Sequence, residues 1–249
     1  MTLDKDHIRV LDQALLDARA RRDAIATETK EKNRDSYYRI FGVFQPFTRV
    51  YIKLASSMRN PELRSLLVWG MKVYWIEAYD VHELATRGLY FATRRELRYM
   101  LEFSKRAAEL DQSMKGAGLS DKLSAYQRRE AEPDFRGGQL LGTLKANLSL
   151  TEAETNAIDA IFKELSSDVH GSFDEVRKVS PEQSLIPIYR QERMRESVKL
   201  ASQVCDVHLL LMVRSGMLDS QSFAFYPNES ASFPLTIEAL RTQGKASGI

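Results

Sequence analysis

Apolar residues recur every third or fourth position along most of this chain, and no stretch shows sustained alternation of β-branched and polar residues. From about residue 4 to 34, Ile8, Leu11, Leu15, Leu16 and Ile25 stand at helical spacing among charges, with no Gly or Pro, and predict one long amphipathic helix. The aromatic-rich stretch YYRIFGVFQPFTRVYIKLASSM is interrupted by Gly42 and Pro46, which predicts a kinked helix and argues against a central strand. Asn60 as N-cap and Pro61 at the first helical position start a further helix that runs to Gly88. In RRELRYMLEFSKRAAELD the apolar stripe is Leu97, Met100, Leu101 and Leu110, while Arg94, Arg95, Arg98, Lys105 and Arg106 occupy the other face. With Glu96 and Glu102 interleaved, that basic row reads as a solvated, salt-bridged face able to offer phosphate contacts.

Turn signals at GAGLSD and EPDFRGGQ predict short helices and loops between residues 111 and 148. Ser149 with Glu152, and Thr151 with Glu154, both fit a capping box, so a helix starts near 150 and closes at Gly171. A last strong helix is expected over about 189–215, and from 218 onward Ser, Phe and Pro follow no period. The expected fold is therefore all-α: a bundle of long antiparallel helices in one domain, residues 1–217, followed by an irregular or flexible C-terminal arm, 218–249.

Composition narrows the function classes. With 36 basic against 34 acidic residues the formal charge is +2, which allows a local basic patch but no polycationic surface. The single cysteine, Cys205, cannot form an internal disulfide and sits in an apolar stretch, so it reads as a core residue of a protein in a reducing compartment. The N-terminus MTLDKDHIRV has no apolar signal region, and no apolar run approaches the roughly 20 residues needed to span a bilayer. A cytoplasmic protein without a membrane partner is expected. No Walker A, GxGxxG, GxSxG or HExxH motif occurs, and no cofactor is expected.

The triplet Asp-Val-His occurs three times, ending at His82, His170 and His208. Residues i and i+2 of a helix point about 200° apart, so one triplet cannot chelate a metal, and no metal site is expected. His82 and His208 lie in apolar stretches and read as hydrogen-bonded core or boundary residues. His170 differs. Along its helix Ile158, Ile161, Phe162, Leu165 and Val169 face the core, while Lys163, Ser166 and His170 form a row beside that stripe. A histidine in the last helical turn has its protonated form favoured by the helix dipole, and beside a cation it suits proton transfer around a phosphate. It can equally cap its own helix by bonding the final carbonyls.

The stretch FKELSSDVHGS resembles the Y-x-x-L-S-x-x-V-H-x-S pattern of some bacterial helical families of the HEPN group. RRELRYMLEFSKRAAELD is similar to their helix carrying R-x-x-x-E, and the resemblance covers about residues 60 to 215. It implies a helical, often dimeric protein, and in many members a metal-independent ribonuclease whose arginine and histidine meet in the dimer cleft. There the histidine assists attack of the ribose 2′-hydroxyl and the arginine stabilises the phosphorane. Carried over, His170 matches the histidine and Lys163 stands in the arginine's place, as a point charge without the bidentate fork. The resemblance thus implies Lys163 and His170 as the catalytic pair, with Ser166, Arg94, Arg95 and Arg98 as RNA contacts. A homodimer with both His170 residues lining one groove follows from the outward row and two-fold doubling of its charge. Two functions stay open: a HEPN-like ribonuclease, or an RNA-binding relative, in a defence or toxin-type system; or a non-enzymatic helical scaffold that binds a protein partner through its C-terminal arm.

Overall fold

The computed structural model describes residues 5–135, 137–167, 189–219 and 230–246, and among these there is no strand. α1 (Lys5–Lys32) is the long helix expected from its charge-rich pattern. α2 (Arg34–Gly42) and α3 (Gln45–Ser57) meet at the predicted kink, with Pro46 in the first turn of α3, where its missing N–H costs nothing.

The next helix starts later than the sequence indicates. Asn60 takes a left-handed conformation (φ 50°), Pro61–Leu63 forms a 3-10 turn, and α4 (Leu66–Thr86) begins after Ser65. The reason is a distant capture of its first turn. Asp111 accepts the amides of Leu66 and Leu67 at 2.9 and 3.0 Å and the Ser65 hydroxyl at 2.7 Å, while Ser65 Oγ itself accepts the Val68 amide. Lys122 completes this buried centre, 2.8 Å from the Asp111 carboxylate. At the other end Gly88 (φ 75°) closes α4 with a Schellman pair, Gly88 N–H to Ala85 O and Leu89 N–H to Leu84 O.

α5 (Tyr90–Ser113), α6 (Leu119–Arg129), α7 (Gly137–Asn147), α8 (Glu152–Ser167) and α9 (Gln191–Arg214) follow. α8 starts in the capping box of Thr151 and Glu154: the Glu154 amide donates to Thr151 Oγ1 at 3.2 Å, and Thr151 N–H donates to Glu154 Oε2 at 2.8 Å. α9 is central. Val204 through Val213 are all buried, on every face of the helix, with Cys205 among them. α4 and α5 pack against it and against each other, and α2, α8 and α10 (Pro234–Ala246) cover further faces.

The end of the expected irregular arm is helical. Asp206 of α9 accepts the amides of Leu235 and Thr236, each at 2.9 Å, and the Thr236 hydroxyl, which fixes the start of α10 on the body. Phe233, Ala239 and Leu240 are buried there. A helix whose apolar residues find a face on α9 gains more by docking than by remaining irregular.

α1 contrasts with all of these. Ile8 through Ala24 are exposed, and the helix is held by its last turns: Ile25 is buried, and Thr29 Oγ1 donates to Thr86 O at 2.8 Å. No helix among the described residues is long and apolar enough to cross a membrane.

Candidate functional site

The basic row of α5 is solvated only in part: the salt bridges with Glu96 and Glu102 are present, while Arg94, Lys105 and Arg106 are buried. Arg94, Arg98 and Lys105 fall within about 40° of one another around the helix, and α8 packs on this side of α5. Arg94 is 4% exposed; it pairs with Glu196 of α9 and donates to the Glu164 carbonyl of α8. Its charge is therefore spent inside the protein, which removes it as a ready contact for an RNA phosphate. Arg95 points to solvent and pairs with its neighbour Glu96 at 3.3 Å. The burial of Arg94 was not legible in the sequence because the carboxylate and the helix that cover it lie far along the chain.

With Arg106, Arg98 of this row reaches an opening. It forms an ion pair with Glu102 one turn on, at 2.9 Å, and its guanidinium stands 5.1 Å from the centroid of the Phe162 ring. Arg98, Tyr99, Glu102, Arg106, Glu130 and Phe162 wall a cleft of about 640 Å³ between α5, the end of α6 and α8. The Glu102 carboxylate is shared: Oε1 takes Arg98, and Oε2 takes Arg106 at 3.4 Å. Arg106 also donates to the Phe135 carbonyl and the Tyr126 hydroxyl, and Glu130 lies 3.7 Å away.

Beside this cleft is a group the sequence reading passed over as one more surface cation. Lys105 is 2% exposed, and its ammonium lies 4.2 Å from the centroid of the Phe162 ring. Among the described residues no oxygen accepts a hydrogen bond from it. Burial pushes its pKa down to about 8; the charges of Glu102 and Asp159 oppose this fall, and those of Arg106 and Arg98 add to it. One aromatic ring thus receives two cations, Arg98 and Lys105, from positions two turns apart on α5. The i, i+4, i+11 spacing of Arg94, Arg98 and Lys105 was the available signal that they share a face.

On α8, Lys163 is exposed as expected and pairs with Asp159 one turn back at 2.7 Å. The Ser166 hydroxyl donates to the Phe162 carbonyl at 2.6 Å, so its proton is engaged in its own helix. His170 and the Gly171 helix end lie outside the described residues. Phe162 walls the α5 cleft, whereas Lys163 and Ser166 are not among its lining residues.

The other two histidines of the Asp-Val-His triplets are structural. His208 is fully buried; its Nε2–H donates to Leu67 O at 3.0 Å, and Nδ1 accepts from Ser104 Oγ at 2.9 Å. The Tyr74 hydroxyl lies 2.8 Å from Ser104 Oγ and also donates to Met100 O. Burial pushes the His208 pKa down to about 3, so the imidazole is neutral and that tautomer is set by the Leu67 carbonyl. His82 is half-buried against Tyr37 and Phe41. Comparison with family models, with curated proteins and with solved structures finds no match for this chain.

Proposed function

We propose that this protein is a HEPN-like RNA-binding protein of a bacterial defence or toxin-type system. With Lys163 and His170 at the phosphate it is a metal-independent endoribonuclease, or, for want of the arginine fork, a relative that binds without cutting. The supporting observation is the meeting of the two stretches that carry the resemblance. Arg98 and Glu102, which form R-x-x-x-E on α5, wall one cleft with Phe162, the first residue of FKELSSDVHGS on α8. Lys163 is exposed on the next position of that helix, where an RNA strand leaving the cleft would pass. A two-fold pairing of this face would bring two such rows together.

Labelled RNA incubated with pure protein and EDTA tests the reading. Cleavage that disappears in His170→Ala and quickens in Lys163→Arg supports the nuclease. Binding without cleavage supports the RNA-binding relative, and neither binding nor cleavage removes the reading. In that last case the second function, a protein-interaction subunit, is favoured by α1. Ile8, Val10, Leu11, Leu15 and Leu16 are 45–69% exposed on a helix anchored only at its end. Substituting Leu11 and Leu15 with Glu would then abolish partner capture without unfolding the body.

A further inference from the structure

We propose that α1 pairs antiparallel with α1 of a second copy of this chain, through Ile8, Leu11, Leu15 and Ala18. The face extends one that the structure already uses. At about 100° per residue these four positions fall in a stripe about 100° wide, and Ile25 and Thr29 continue it. Ile25 and Thr29 are buried on the body, where the Thr29 hydroxyl bonds Thr86 O. Ile8, Leu11 and Leu15 are 45%, 50% and 58% exposed. The stripe is thus covered over its last two turns and, among the described residues, open over the turns before them. Exposed apolar side chains at heptad spacing form a contiguous surface of the kind that seats another helix.

A second copy fits this stripe because the helix is complementary to itself. When Leu11 faces the partner's Leu15, Ile8 faces the partner's Ala18, and the two-fold repeats both layers. Asp12 and Arg19, both exposed, edge the stripe on the same side, so in this register each Asp12 stands beside the partner's Arg19. The bodies do not obstruct the pairing: Ile25, where α1 becomes buried, lies about 18 Å along the helix from the centre of the pair at residue 13. A parallel pair would instead set Arg22 against the partner's Arg22 and bring both bodies to one end. A lipid surface is the poorer occupant, since Arg9, Arg19 and Arg22 are interleaved with Asp12, Asp17 and Asp23 where a membrane helix carries a mainly basic face. About three turns of helix cover less than the ~800 Å² per partner of a standard interface, so the dimer should be reversible, with a Kd of roughly 1–100 µM. The inference rests on α1 alone and is independent of the RNA reading.

Sedimentation equilibrium of the full-length protein from about 1 to 300 µM tests the pairing. Wild type should pass from monomer to dimer, and the double variant Leu11→Glu, Leu15→Glu should stay monomeric. Asp12→Arg alone should weaken the dimer about tenfold, because it sets two like-charge pairs across the seam, and Asp12→Arg with Arg19→Asp should restore it. That rescue reports the antiparallel register, since residues 12 and 19 of one helix stand about two turns apart and do not meet each other. Should the glutamate pair lower the helicity, the charge-swap variants, which alter only exposed polar residues, carry the test. A wild type that is monomeric throughout overturns the proposal, and so does a dimer that survives the double glutamate variant or ignores the charge swap. A monomer that floats with phosphatidylserine vesicles overturns it as well and assigns the face to lipid. RNA binding and cleavage can fail while these readouts hold, so the pairing and the RNA reading fall separately.

Discussion

Ser104 and Lys105 are consecutive residues of α5, both buried, and they meet opposite fates. Ser104 turns toward α4 and α9, where His208 accepts its proton and the Tyr74 hydroxyl lies beside it in a closed neutral network. Lys105 turns toward α8 and finds the face of Phe162. Fully paired, a buried polar group holds a core together and specifies its packing. Held against a ring, with the Glu102 and Asp159 charges opposing the effect of burial only in part, the Lys105 ammonium costs stability at neutral pH. The first arrangement closes on itself, and the second leaves a cation held by a ring beside the cleft.

The largest effect should come from the paired side. His208→Ala removes a buried ring and its hydrogen bonds to Ser104 and the Leu67 carbonyl, so it should destabilise by about 3–5 kcal/mol in urea unfolding. A loss below about 1 kcal/mol would break the comparison.

Acid acts on the same residue. The folded pKa of His208 lies at about 3, below its unfolded value of 6.5, so between these limits the unfolded chain binds a proton that the folded one refuses. Stability should therefore fall as pH drops from 6.5 toward 3. The His208 share is on the order of 4 kcal/mol, and comparison of the unfolding midpoints of wild type and His208→Ala across that window isolates it.

Lys105 carries the opposite sign. Its folded pKa of about 8 lies below the unfolded 10.5, so its burial costs stability at neutral pH, and that cost fades as pH rises through this window. Lys105→Met should stabilise by up to about 3 kcal/mol at pH 7, with the gain vanishing near pH 10.5. A destabilised variant at pH 7 would mean that the lysine is as well satisfied as Ser104.

The smallest effect belongs to Lys163, exposed and paired only with Asp159. Lys163→Ala should change stability by less than about 0.5 kcal/mol. Any larger loss, seen as a lowered thermal midpoint, would place this residue in the architecture and not at a site.

Local chemistry was readable from the chain where the deciding partners are near in sequence. The α1 pattern, the break at Pro46, the Thr151–Glu154 capping box and the glycine stop at Gly88 each depend on residues within a turn or two, and each predicted element is present. Where partners come from afar the reading failed or stayed silent. Asp111 delays α4 from 61 to 66; Glu196 turns Arg94 inward; Asp206 captures a helix where an irregular arm was expected. The cleft belongs to this second class. The pattern of α5 placed Arg94, Arg98 and Lys105 on one face, but only packing decided what covers that face: a carboxylate for Arg94, an opening for Arg98, and an aromatic ring for Lys105. A helix's periodicity follows from its own backbone geometry, whereas the dielectric and partners of each side chain are set by whichever helix docks beside it.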